Sequence, residues 1–162
     1  MDATAMPSTV MDNIAPLIAA FPEFTFVKAT DFRWMPGKKT IEYAPDDPHA
    51  AEHLLHEVAH AKLDHASYER DVELITLERD AWHYAQTVLA PTFAITIDDS
   101  LVEDDLDTYR DWLHARSTCP HCQATGIQTG SKTYTCVVCR TKWQVNAAIH
   151  CGLKRYTQKT PQ

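Results

Sequence analysis

The 162-residue chain contains no run of 18 apolar residues, so no transmembrane helix is expected. Its start carries Asp2 rather than Lys or Arg, and the apolar stretch at residues 15–21 is short. A secretory signal is therefore not expected, and a cytoplasmic location is. Glycine is scarce, at four residues, and there is no internal repeat or low-complexity tract, which excludes a collagen-like chain. An apolar content of 44% with 23% charged residues is globular rather than disordered. A domain of this length buries most of its unfolded-chain surface, so it needs no disulfide staple. Two further absences divide the chain. No cysteine occurs before residue 119, and no carboxylate side chain occurs in residues 117–162. Residues 1–116 carry nine Lys and Arg against all 22 Asp and Glu, whereas residues 117–162 carry six basic side chains. Asymmetry of that size points to two modules, 1–116 and 117–162, with different tasks.

Within 1–116 the hydrophobic periodicity predicts an α+β domain. Ser8-Thr9 would cap a short helix with Val10, Ile14, Leu17 and Ile18 on one face, provided that Pro16 bends it or delays its start. Phe24–Lys28 alternates as a strand. Phe32–Trp34 and Thr40–Tyr43 flank Met35-Pro-Gly-Lys38, which predicts a hairpin on a type II turn. Asp46-Asp47-Pro48 signals a helix start, and the helix should run from about His49 to His65 with Leu54, Leu55 and Val58 inward. A second helix is expected from about Asp71 to Ala90, with Leu74, Leu77, Ala81, Ala85 and Val88 inward and Pro91 at its end. A third should run from Asp99 or Ser100 to Arg116, burying Leu101, Leu106, Tyr109, Trp112 and Leu113. After Ser117 the pattern becomes short strands and turns punctuated by Gly126 and Gly130.

The first of the long helices carries His56-Glu57-Val-Ala-His60. Residues at i and i+4 lie one above the other on a helix face, so two imidazoles can meet one ion. Glu57 sits close to that face without being a ligand, where it can take a proton from a metal-bound water. Zinc lowers the pKa of such a water to about 7. A third protein ligand is required, and the next helix offers Glu73 and Glu78. His49 and His53 extend the histidine stripe and read as a solvated helix start rather than a second metal site. Tyr84, His83 and His65 are polar groups near the site available to stabilise an oxyanion, and spacing does not choose among them.

The stretch from His56 to His65, followed by Glu78-Arg-Asp-Ala-Trp-His-Tyr-Ala-Gln-Thr-Val-Leu-Ala-Pro91, resembles the core of ImmA/IrrE-type metallopeptidases. Those proteins are similar to thermolysin-like gluzincins, in which two histidines and a glutamate from the next helix hold zinc. Glu78, Ala81, Tyr84, Ala85, Leu89 and Pro91 match the family pattern around the third ligand. The resemblance spans roughly residues 40–91 and selects Glu78 over Glu73. It departs at Trp82, where the family usually has a small polar residue supporting a ligand histidine. The resemblance also implies that an edge strand before the metal helix pairs with extended substrate, a role that falls on Thr40–Tyr43.

The second module carries Cys119-Pro-His-Cys122 and Cys136-Val-Val-Cys139, separated by 13 residues. Two such knuckles joined by a hairpin form a zinc ribbon. Four thiolates saturate tetrahedral zinc, so the site is structural, and the metal supplies folding free energy that so small a segment lacks. A thioredoxin-type dithiol would need a βαβ context that is missing. Cys151 reads as a small buried residue or a free thiol, and His121 as exposed. Lys132, Arg140, Lys142, Lys154, Arg155 and Lys159 interleave with Tyr134, Trp143 and Tyr156, a pattern that attracts phosphates and stacks on bases.

The sequence therefore leads to an α+β protein. It would have a small antiparallel sheet, an HExxH active-site helix, a Glu-bearing second helix and a C-terminal zinc ribbon. The expected activity is that of an intracellular zinc endopeptidase. His56, His60 and Glu78 would hold a catalytic zinc, Glu57 would be the general base, and Cys119, Cys122, Cys136 and Cys139 would hold a structural zinc. The resemblance implies a regulatory protein such as a transcriptional repressor as substrate. Nucleic acid is a further partner through the basic ribbon, and no membrane is expected. Two alternatives compete. One is a SprT-like protease acting on DNA-bound proteins, whose third ligand is typically histidine. The other is a non-catalytic binding protein that uses the ribbon to dock.

Overall fold

A computed structural model of the chain describes residues 11–147 and 155–157. Ser8, Thr9, Val10, Cys151, Lys154 and Lys159, named above, lie outside the described residues. The architecture is α+β with two small sheets. Packing groups the chain into two compact units, Met1–Ala66 with Asp80–Asp98, and Ser67–Arg79 with Asp99–Gln162. This grouping by contact differs from the grouping by charge at residue 116.

In the first unit, helix α1 (Met11–Ala20) buries Ile14 and Leu17 and keeps Pro16 on its exposed face. The backbone bond that proline forfeits is thus lost on the side where water can replace it. Strands β1 (Thr25–Lys28), β2 (Arg33–Met35) and β3 (Thr40–Tyr43) form a sheet in the order β1-β3-β2. The β2–β3 hairpin is antiparallel as expected, but β1 runs parallel to β3, with Thr25 opposite Thr40 and Lys28 opposite Tyr43. The sheet is therefore mixed, not antiparallel. The link between β2 and β3 also departs from expectation. A type II turn would place Gly37 in the left-handed region. Instead Pro36–Lys38 form a 3-10 turn, and Lys39, at φ 48°, closes it by donating its N–H to the Pro36 carbonyl.

Helix α2 (Ala50–Lys62) begins after Asp47, whose carboxylate accepts the His49 N–H at 2.7 Å. Leu54, Leu55, Val58 and Ala59 are fully buried where α2 packs on α1, β2 and β3. At its end Lys62 pairs with Glu23 and lies over the rings of Phe21 and Phe24. Helix α3 (Asp71–Tyr84) runs through both units and continues into a π-helical turn, Ala85–Leu89, and a short helix α4, Ala90–Thr92. The π turn inserts one residue into the helical repeat. After Ala85 the buried face therefore passes to Leu89, and Val88, expected inward, is exposed.

In the second unit, helix α5 (Asp99–Ser117) buries Val102, Leu106 and Trp112, while Leu101, Tyr109 and Leu113 are half-buried. Strands β4 (Gly126–Gly130), β5 (Thr133–Cys136), β6 (Lys142–Val145) and β7 (Arg155–Thr157) make an antiparallel sheet in chain order. Its inner face is formed by Tyr134, Cys136, Trp143 and Val145, clustered with Cys119. The rings of Tyr134 and Trp143 stack at 5.6 Å. Gly126 is required here by close approach. A Cβ at this position would lie 2.3 Å from the Trp143 ring and 2.9 Å from the Thr135 carbonyl oxygen.

Candidate metal centres

Helix α2 carries His56, Glu57 and His60, and α3 carries Glu78. The i, i+4 spacing brings the Nε2 atoms of His56 and His60 to 3.1 Å from each other. Two nitrogens bound to one tetrahedral zinc at 2.0–2.1 Å would lie about 3.3 Å apart. The pair is thus spaced as a metal would hold it. One carboxylate oxygen of Glu78 completes a group whose ligand atoms all lie within 4.8 Å of one another, and all three side chains are buried. Two imidazole nitrogens and a carboxylate oxygen so placed make a donor set that fits a divalent cation with nitrogen and oxygen preference. Glu73, the other carboxylate considered, is exposed and otherwise engaged. It accepts the N–H groups of Glu69 and Arg70 at the start of α3, which holds its carboxyl below the usual glutamate range.

The surroundings of the two histidines differ. His60 meets His65 through their Nδ1 atoms at 2.9 Å, and Trp34 donates its indole N–H to the His65 carbonyl at 2.9 Å. With Nε2 of a neutral His60 turned to the metal position, its Nδ1 carries the proton and donates to His65. His65, considered above as an oxyanion donor, is thereby engaged in orienting His60. His83 is exposed and Tyr84 half-buried. His56 is covered by Trp82, whose ring stacks on it at 4.2 Å and 25°. Trp82 is 1% exposed, meets His53 edge-on, and its indole N–H has no hydrogen-bond partner among the described residues. His53 itself is partly buried against Asp47, at 3.1 Å, and His49 faces Glu52 at 3.8 Å. Neither joins the His56–His60–Glu78 group.

The strand expected to receive substrate is not an edge. β3 lies between β1 and β2, and Thr40, Ile41 and Tyr43 are buried. β1 and β2 take up both sides of β3, which leaves it no free edge for a peptide, so the expectation of substrate pairing on Thr40–Tyr43 is overturned.

The second centre is built by Cys119, Cys122, Cys136 and Cys139, whose sulfurs all lie within 4.8 Å of one another. Cys119 and Cys139 are 3.6 Å apart, and Cys122 and Cys136 are 3.5 Å apart. Thiolates at 2.3 Å from a tetrahedral zinc would be about 3.8 Å apart, so the cluster has the dimensions of a metal cage. Backbone N–H groups turn toward two of the sulfurs. The His121 N–H points at Cys119, and the Cys139 N–H at Cys136. A hydrogen bond with the Thr141 hydroxyl brings the Cys139 thiol down to about 5. Cys122 is pushed up to about 12: the Ala124 N–H draws it down, but hydrogen bonding to Cys139 and desolvation outweigh that. The opposite directions at Cys139 and Cys122 are what crowded like charges impose. His121 is exposed, as expected.

Three residues with large roles escape sequence reading. Asp71, at the start of α3, accepts Arg116 Nε at 2.6 Å and the Tyr134 hydroxyl at 2.5 Å, and its own N–H donates to the Gln128 side chain at 2.8 Å. Arg116 also donates to the Asn146 carbonyl and stacks on Trp112. Asp71 and Arg116 are both almost wholly buried. Nothing in the spacing of residues 71, 116 and 134 announces the trio. The expectation that Tyr134 and Trp143 stack on bases is overturned as well. They are 2% and 0% exposed, and the Trp143 indole donates to the Arg116 carbonyl. The signal was present in the period-2 alternation of Thr133–Cys136 and Lys142–Val145, which puts both rings on the face of Cys136.

No family model matches the chain, and no match is found among curated proteins or solved structures. Among the described residues no helix is long and apolar enough to cross a membrane.

Proposed function

We propose that the chain is a zinc-dependent endopeptidase of the ImmA/IrrE type that cleaves a regulatory protein. The observation that carries this reading is the buried His56–His60–Glu78 group, with histidine Nε2 atoms 3.1 Å apart on the helix that also bears Glu57. A zinc ion bound there supplies Lewis acidity toward a water and a scissile carbonyl. The residues do the rest. His56 and His60 would hold the ion, Trp82 and His65 fix their rings, and Glu78 completes the set with one carboxylate oxygen. Glu57, half-buried next to His56, takes a proton from the attacking water onto a carboxylate oxygen and delivers it to the leaving amine nitrogen. The acidic third member favours this reading over the histidine-completed SprT-like one. The four cysteines would hold a second, structural zinc. The substrate class, a transcriptional repressor or similar regulator, rests on the family resemblance.

The test is cleavage of co-expressed repressor proteins by the wild type and by Glu57→Gln. The variant should keep its metal, because Glu57 is not a ligand, and lose cleavage by at least ~10²–10⁴-fold. Unchanged cleavage by this variant would remove the mechanism.

A further inference from the structure

The sheet β4–β7 has one face turned inward and one that the other described residues leave open. Gln128 and Tyr134 reach Asp71, and Trp143 reaches Arg116, from the inner face. The pairing register puts the alternate residues together on the outer face. Ile127 lies opposite Thr135, and Thr135 opposite Lys142, in one row. Thr133 lies opposite Gln144, and Gln144 opposite Tyr156, in the next. Ile127 and Tyr156 are 57% and 53% exposed, and Lys142 is exposed between them. Adjacent strands are about 4.8 Å apart and successive rows about 7 Å apart. Lys142 therefore sits roughly 8 Å from Tyr156 on the diagonal. No Asp or Glu occurs anywhere in residues 117–162, against six Lys and Arg.

We propose that this outer face binds single-stranded DNA, with Tyr156 as a stacking platform, Lys142 on a phosphate and Ile127 against a base. Charge complementarity points to a polyanion, because Lys142 is exposed on a face that carries no carboxylate. The open ring of Tyr156 points to a single strand, since a duplex hides the faces of its bases and an unpaired strand offers them. Ile127 favours DNA over RNA. An apolar side chain gains from the C5 methyl of thymine, which uracil lacks. The face is thus distinct from the buried Tyr134–Trp143 pair. It does not depend on the peptidase reading, since neither His56, His60 nor Glu78 takes part.

The experiment is fluorescence anisotropy of a labelled oligothymidine with the full-length, zinc-loaded chain over a salt series. Duplex DNA, oligouridine and polyglutamate serve as the other probes. Binding should fall linearly in log–log form with salt. Lys142→Ala should flatten the slope by about 0.7, one phosphate contact on a single strand. Tyr156→Ala should weaken binding roughly five- to 150-fold with the slope unchanged, and Tyr156→Phe should restore it. Ile127→Thr should narrow the preference for oligothymidine over oligouridine. All four variants alter exposed side chains, so circular dichroism and metal content should match the wild type. Absence of oligothymidine binding at low salt overturns the proposal. So does binding indifferent to both Lys142→Ala and Tyr156→Ala, or duplex bound as well as single strand. Polyglutamate bound in place of oligothymidine, and lost in Lys142→Ala, would give the face to an acidic protein segment instead. A Glu57→Gln protein should bind DNA as the wild type does, which separates this test from that of the peptidase.

Discussion

At the scale of single residues, the departure at Trp82 has the clearest physical consequence. A ligand histidine is ordinarily oriented by a hydrogen bond from its second nitrogen to a carboxylate, carbonyl or water. His60 follows that rule through His65. At His56 the structure shows a flat aromatic wall, with Trp82 stacked at 4.2 Å and only 25° from parallel. Stacking fixes the plane of the imidazole, and the plane decides where Nε2 points. Replacing Trp82 with Phe keeps a flat wall, whereas Leu fills much of the volume without one. Trp82→Leu should therefore lower metal affinity at His56–His60–Glu78 by ~10–100-fold, the usual cost of losing a group that orients a ligand. Trp82→Phe should stay close to the wild type. Competition with a chromogenic chelator measures both, with circular dichroism as the check on folding. A Leu variant that is folded and binds metal as tightly as the wild type would show that the stacking is packing and nothing more.

At the scale of elements, the cysteine-bearing sheet β4–β7 and helix α5 hold each other in place. Trp143 donates to the carbonyl of Arg116, Arg116 donates to that of Asn146, and Tyr134 and Arg116 share the Asp71 carboxylate. A buried ion pair is sustained only when further hydrogen bonds satisfy its remaining donors and acceptors, so loss of the sheet cannot leave the end of α5 unaffected. Cys136→Ser removes one of the four sulfurs that would hold the metal proposed to fold the sheet. Hydrogen exchange should then rise in β4–β6, in the last turns of α5 and in the first turns of α3. Exchange in α5 identical to the wild type would show that the sheet melts by itself. The long helices could be read from the sequence because each repeats apolar residues at 3.6-residue spacing, a local property. β3 could not be placed that way. Whether Thr40–Tyr43 is central or at an edge depends on Phe26 pairing beside Ile41, a choice made by strands separated in sequence. The π turn at Ala85–Leu89 was equally hidden, because inserting one residue changes which side is buried without changing the composition. The site was the more legible part. His56, His60 and the four cysteines from Cys119 to Cys139 announce themselves by spacing, and Glu78 came from the resemblance. Asp71–Arg116–Tyr134 did not appear, because a long-range buried trio has no period.

At the scale of the whole molecule, two donor sets of different chemistry lie in one chain, and they should part with metal in a fixed order. The His56–His60–Glu78 group offers three protein ligands, so a bound zinc keeps a position that a chelator can enter. The four cysteines saturate a tetrahedral ion, and a chelator must first displace a thiolate. Gently purified protein should hold two zinc ions, and Glu78→Ala should hold one. Dipicolinate at neutral pH should remove the first equivalent and leave the far-ultraviolet spectrum and the exchange protection of β4–β6 intact. The helix that carries His56 and His60 has an apolar core of its own around Leu54, Leu55 and Val58, so its folding does not wait on the metal. Releasing the second equivalent should require an organomercurial that captures thiolates, and it should melt the sheet, whose stability comes from its ion. Elemental analysis against a dipicolinate titration, with hydrogen exchange at each plateau, separates the two steps. If the first equivalent lost were the one that melts β4–β6, the cysteine cluster would be the open site and the histidine–glutamate group the closed one. The assignment of catalytic and structural roles would then have to be exchanged.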